Sequence, residues 1–113
     1  MAFSRSWLRK LGLKAEYLAV LYGDGRSMEP TIAHDDVLLM DTSETALRNG
    51  KIYVIRRADG AIIIKRLIQN LTGTWIIRSD NENKREHPDE IATDSDVGNL
   101  EVLGRIVWHG GEL

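Results

Sequence analysis

Two apolar, β-branched runs, Lys51-Ile52-Tyr53-Val54-Ile55-Arg56 and Ala61-Ile62-Ile63-Ile64-Lys65-Arg66-Leu67-Ile68, meet across Asp59-Gly60. β-Branched and aromatic side chains suit a pleated surface, and Asp-Gly takes the positive φ values of a tight hairpin. This pattern commits the middle of the chain to an antiparallel pair, which needs further strands to be stable. The flanking sequence offers them. Tyr17 to Tyr22 reads as a first strand and Val37-Leu38-Leu39-Met40 as a second. Asn49-Gly50 and Thr72-Gly73 are turn signals, the latter leading into a strand over Thr74 to Arg78. Glu101 to Trp108 reads as a last strand, with Gly104 marking a bulge or a close approach. The polar stretch from Ser79 to Asn99 is long for a structureless loop, so Glu90-Ile91-Ala92 is expected as a short strand within it. Phe3, Trp7, Leu8 and Leu11 share one face of a short helix, with Ser4 or Ser6 as its cap and Gly12 as its stop. Such a helix cannot stand alone and must dock on the domain's own core, a partner chain or a missing segment. The reading is a mostly β, largely antiparallel single domain over residues 1–113 with six or seven strands and a short N-terminal helix.

Composition narrows the function. The 113 residues are 42% hydrophobic and 28% charged, which suits an ordinary globular domain able to bury a core. With no cysteine there is no disulfide framework and no thiolate metal site, in keeping with a reducing cytoplasm. Fifteen basic and 17 acidic residues leave a net charge of −2, which lacks the basic excess of a self-sufficient nucleic-acid-binding domain. No apolar run approaches the ~20 residues of a membrane span, and Trp7-Leu8-Arg9-Lys10 interrupts any signal-peptide pattern. The expectation is a soluble, cytoplasmic protein with no membrane partner. His34, His87 and His109 have no ligand-like spacing, so no metal and no cofactor is expected.

Two residues stand out against this background. Ser27 sits in Gly25-Arg26-Ser27-Met28-Glu29-Pro30, where glycine permits a tight backbone and Pro30 turns Glu29 away from helical geometry. A serine in such a loop is ordinarily only a loop residue, and it becomes a nucleophile when a neighbouring base takes its proton. Lys65 shares a strand face with Ile63 and Leu67. A lysine there either snorkels to solvent or is partly buried, and burial disfavours the ammonium. A neutral lysine amine is a competent general base, and serine–lysine pairing is a recognised variant of the serine-nucleophile arrangement.

Six ordered blocks carry a resemblance. Gly25-x-Ser27-Met28-Glu29-Pro30-Thr31-Ile32, Val37-Leu38-Leu39-Met40-Asp41, Asn49-Gly50-Lys51-Ile52-Tyr53-Val54, Ile64-Lys65-Arg66-Leu67, Ser79-Asp80-Asn81 and Leu103-Gly104-Arg105-Ile106-Val107-Trp108 together resemble the C-terminal domain of LexA-type and phage repressors. The resemblance runs from about Phe3 to the end. It implies Ser27 as nucleophile, Lys65 as its base, and the backbone N–H groups of Arg26 and Ser27 as oxyanion donors. It also implies a homodimer, possibly a higher oligomer, and cleavage of the repressor's own chain between its DNA-binding and C-terminal domains. A RecA filament formed after DNA damage would stimulate that cleavage, and operator DNA would be bound only through an N-terminal domain missing from this chain.

Departures from the pattern leave other readings open. The usual scissile dipeptides, Ala-Gly and Cys-Gly, occur nowhere in the 113 residues. Asp35-Asp36 stands where members commonly have Gly-Asp. One alternative keeps the fold as a catalytically silent dimerisation and cooperativity module of a repressor. A second is an error-prone-repair accessory protein of the same superfamily, and a third is a leader-peptidase relative, which would need a membrane anchor.

Overall fold

The computed structural model describes residues 3–111, and they form one seven-stranded sheet with short helices at its margins. In chain order these are α1 (Arg5–Lys10), a 3₁₀ turn (Ala15–Tyr17), β1 (Leu18–Tyr22), β2 (Val37–Asp41), β3 (Lys51–Arg56), β4 (Ile62–Gln69), β5 (Trp75–Arg78), β6 (Glu90–Ala92), α2 (Asp94–Gly98) and β7 (Glu101–Gly110). The sheet order is β1-β2-β7-β3-β4-β5-β6, and every pairing is antiparallel. The mostly β expectation holds, and the short strand at Glu90–Ala92 forms as anticipated. Among the described residues no helix is long and apolar enough to cross a membrane.

The hairpin at the centre forms because its two runs match in register. Tyr53 pairs with Lys65, Val54 with Ile64 and Ile55 with Ile63, while Gly60 takes φ 90° in the turn. Period-2 alternation then sends alternate residues to opposite faces, and both faces are covered. On one, Tyr53, Ile55, Leu67 and Trp75 pack with Val97 of α2, Leu100 after it and Val102 of β7. On the other, Met28, Ile32 and Leu38 pack with Leu21, Ile52, Ile64 and Ile106. The segment that carries Ser27 is thus anchored to the sheet by its own apolar residues. Tyr53 is fully buried yet satisfied, its hydroxyl donating to the Ala46 carbonyl at 3.1 Å and accepting from the Arg48 N–H at 2.8 Å.

Ser4 caps α1 by accepting from the Trp7 N–H at 3.1 Å. Its apolar face docks on the domain itself: Leu8 is buried, and Phe3 and Trp7, stacked at 5.1 Å, each meet Trp108 of β7 edge-on at 5.6 Å. The helix α2 is a feature the sequence reading did not anticipate in the polar stretch. It is nucleated by Thr93, whose hydroxyl accepts from the Asp96 N–H while the Asp96 carboxylate accepts from the Thr93 N–H. The signal is a capping box with aspartate in place of the usual Glu or Gln. The last strand, β7, lies inside the sheet between β2 and β3. The large exposed apolar side chains include Val20 and Tyr22 on the edge strand β1 and Ile91 on the opposite edge strand β6.

Gly104 shows why a central strand can hold a glycine. A Cβ there would meet the Asp41 carbonyl oxygen and Met40 Cγ, each at 2.6 Å, and the β3–β7 register shifts beside it, between Val54 and Ile55. Gly104→Ala is therefore expected to cost about 1–3 kcal/mol of stability, read as a lower urea midpoint at unchanged m-value. A midpoint equal to that of the parent protein would remove the close-approach explanation.

Candidate active site

Gly25 takes φ 79°, a conformation that other residues adopt only at a cost, and lets the chain double back after β1 toward Ser27. The His34 ring closes the turn from behind by accepting the Gly25 N–H on Nδ1 at 3.0 Å. Asp35 takes φ 68°, the left-handed conformation aspartate tolerates better than most residues, so it stands in for glycine at that position. The Asp36 carboxylate accepts from the Ala33 N–H at 2.9 Å, a turn-forming role.

The other wall comes from Ser79-Asp80-Asn81, where the chain leaves β5. Asn81 clamps the serine turn twice, its N–H donating to the Ser27 carbonyl at 3.0 Å and its Nδ2 to the Arg26 carbonyl at 2.8 Å. Asp80 is held by Arg66 of β4 in a bidentate pair at 2.8 and 2.7 Å and accepts from Thr31 Oγ1 at 2.6 Å. Arg66 also donates to the Gly50 carbonyl at 2.7 Å. One charged network therefore ties the serine turn, β4 and the chain after β5 together. The Arg66 guanidinium, helped by Thr31, holds the Asp80 carboxyl below its ordinary range. Among the described residues, the Arg26 and Ser27 N–H groups donate to no protein acceptor.

Ser27 and Lys65 line the same cavity of about 340 Å³, together with Leu21, Tyr22, Met28 and Ile62. Lys65 is half-buried, and its Nζ donates to Ser79 Oγ at 2.6 Å; among the described residues no hydrogen bond joins it to Ser27. The hydroxyl that Lys65 engages is thus that of a second, fully buried serine. Ser79 belongs to the Ser79-Asp80-Asn81 block noted in the sequence, but nothing local there assigns it to Lys65. Burial lowers the Lys65 pKa from its ordinary value; Glu90 and Asp89 oppose this, while Lys84 and Arg57 add to it.

Lys65 also borders a larger cavity of about 710 Å³, floored by Ile55, Ile63 and Ile77 and walled by Arg57, His87 and Glu90. The two cavities meet along β4 for a topological reason. This strand pairs with β3 over Ile62–Leu67, but with β5 only over Arg66–Gln69. The backbone edge of Ile62–Lys65 facing away from β3 is therefore open. The arrangement offers an open strand edge beside an apolar groove, a turn-borne hydroxyl, and an amine whose charged form is disfavoured.

Comparison with known proteins places this geometry in a family context. A family model described as Peptidase S24-like matches residues 1–107. An uncharacterized HTH-type transcriptional regulator of Haemophilus influenzae is 32% identical over 111 residues, covering 98% of this chain and 45% of that protein. Repressor protein CI of Enterobacteria phage phi80 is 32% identical over 111 residues, covering 96% and 44%. HTH-type transcriptional regulator PrtR of Pseudomonas aeruginosa is 29% identical over 110 residues, covering 96% and 42%. The chain spans less than half the length of these curated relatives.

Proposed function

The chain belongs to the Peptidase S24-like family, and from that premise we propose that it is the self-cleaving and dimerising domain of a transcriptional repressor. Ser27 is the nucleophile and Lys65 its general base. The observation that carries this reading is that Ser27 and Lys65 face one cavity while burial disfavours the lysine's charge. A neutral Lys65 amine removes the hydroxyl proton as Oγ attacks the scissile carbonyl. The oxyanion then forms against the N–H groups of Arg26 and Ser27, and the protonated lysine returns the proton to the leaving amine. Ser79 orients the amine by accepting from it, and Lys65 turns from Ser79 to Ser27, within the cavity that Lys65 and Ser27 share, to take the proton.

The substrate in this reading is an extended peptide laid on the open edge of Ile62–Lys65, where strand addition supplies main-chain hydrogen bonds and the flanking apolar groove takes side chains. In the repressor it is the chain's own upstream segment, and cleavage there separates this domain from a DNA-binding domain that contacts the operator. Stimulation by a RecA filament after DNA damage would make the cleavage an induction switch. Two-fold operators call for a homodimer.

The test supplies the missing substrate. An upstream segment containing Ala-Gly, fused to the chain, is expected to be cut at the dipeptide, and Ser27→Ala to stop the reaction while leaving the fold and the dimer unchanged. Cleavage that continues in Ser27→Ala would sink the peptidase reading. The second reading, a dimerisation module without chemistry, is favoured by the Lys65–Ser79 contact. It expects no cleavage under any condition but the same dimer in sedimentation.

A further inference from the structure

Two cationic side chains converge on one buried residue. Lys65 Nζ donates to Ser79 Oγ at 2.6 Å, and Lys84 Nζ donates to the Ser79 carbonyl, also at 2.6 Å. Lys84 is held there by the chain between β5 and β6, and Asp89, at 3.0 Å, pairs with it from the same segment. Glu90, the first residue of β6, lines the larger cavity together with Lys65. A peptidase needs Ser79 and Lys65 in place, but nothing in the proposed chemistry requires a second ammonium on the Ser79 carbonyl.

We infer that the segment from Lys84 to Glu90 sets the proton occupancy of Lys65, with Lys84 and Glu90 as positioning residues of opposite effect. Lys84 fixes the Ser79 main chain, and thereby the hydroxyl that holds Lys65, while its charge opposes a proton on the neighbouring amine. Glu90 favours that proton. The directions found for Lys65 agree: Glu90 and Asp89 raise its pKa, and Lys84 and Arg57 lower it. Other titratable groups also border the cavities: Arg56, Glu86, His87, Asp96 and Glu101 line the larger one and Asp24 the smaller. A displacement of this exposed segment, by a partner or by an incoming peptide, changes the charge that Lys65 meets. This rests on Lys65 as the base of the proposed reaction, yet it concerns a titration that can be measured without any cleavage.

The experiment follows the Lys65 side-chain carbon next to Nζ by NMR in the full chain labelled with ¹³C-lysine, from pH 7 to 11, in parent and variant proteins. Lys84→Gln keeps a donor for the Ser79 carbonyl but removes the charge, and the Lys65 midpoint is expected to move up. Lys84→Arg keeps the charge and is expected to leave the midpoint near that of the parent. Glu90, whose side chain makes no hydrogen bond among the described residues, is replaced in Glu90→Gln, and the midpoint is expected to move down. A midpoint unmoved in Lys84→Gln, or moved equally by Lys84→Arg, overturns the inference. Should Lys84→Gln fail to fold, an unmoved midpoint in Glu90→Gln overturns it as well. If the midpoints move as expected and no variant or parent cleaves an Ala-Gly fusion, the peptidase reading fails and this inference stands. Where cleavage occurs, it is expected several-fold slower at neutral pH in Lys84→Gln and faster in Glu90→Gln.

Discussion

Lys65→Ala is expected to reduce cleavage of an upstream Ala-Gly fusion by about 10²–10⁴-fold, the range a positioned general base supplies. Lys65→Arg should fail similarly, because a guanidinium does not release its proton in the accessible pH range. The pH dependence of the parent follows from the direction of the lysine's shift. Burial disfavours the ammonium, so the folded pKa lies below the ordinary lysine value. The neutral, proton-accepting form grows as pH rises through that folded pKa, and the rate should climb with it and then level. Stability should follow the same sign. Between the folded and unfolded pKa values the unfolded chain binds more protons, so stability increases with pH across that window. Lys65→Met, which removes the penalty, should flatten that rise. A cleavage rate indifferent to pH from 7 to 10, or unchanged in Lys65→Ala, would leave Lys65 without a role as base.

Asp80→Ala is expected to be the most damaging change outside the nucleophile and base. It leaves Arg66 without its bidentate partner and Thr31 without its acceptor, at a site where Asp80 is only 10% exposed and Arg66 27%. Removing one member of a well-buried ion pair costs more than the pair itself contributes, and the partial exposure of Arg66 moderates this to about 2–3 kcal/mol. Cleavage should fall further than stability alone explains, because Asn81, the next residue, clamps the carbonyls of Arg26 and Ser27. Asp80→Asn, which keeps the shape and part of the hydrogen bonding, should fall between the two. The acid limb has a definite sign too. The Asp80 carboxyl is held low by Arg66, so its contribution is complete above the ordinary carboxylate range and is lost as pH falls through its lowered folded value. Thermal melts from pH 7 to pH 2 should show a smaller acid loss in Asp80→Asn than in the parent. Equal losses would show that the pair does not control acid stability.

Much of the fold was legible because its signals are local. The Asp59-Gly60 hairpin, the β-branched runs around it and the apolar row on α1 state their own periodicity, and no distant residue is needed to read them. α2 was missed because the polar Ser79–Asn99 stretch hides a two-residue capping signal whose aspartate is an uncommon substitute for glutamate.

At the site, the sequence by itself determined the turn at Ser27 and the placement of Lys65 in an apolar strand face, since φ at Gly25 and the period of a strand are short-range properties. Which hydroxyl Lys65 meets was decided by tertiary structure alone. Ser79 lies 14 positions away, on the far side of a turn and beyond the end of β5, and it reaches Lys65 only because β4 and β5 pair through Arg66 and Arg78 and then part. The open edge of Ile62–Lys65 has the same origin: a strand's sequence states which residues share a face, but not where its neighbour stops. The Arg66–Asp80–Thr31 network likewise joins three segments that share no local pattern, and a charge's partner is set by the three-dimensional register that brings it within hydrogen-bond reach.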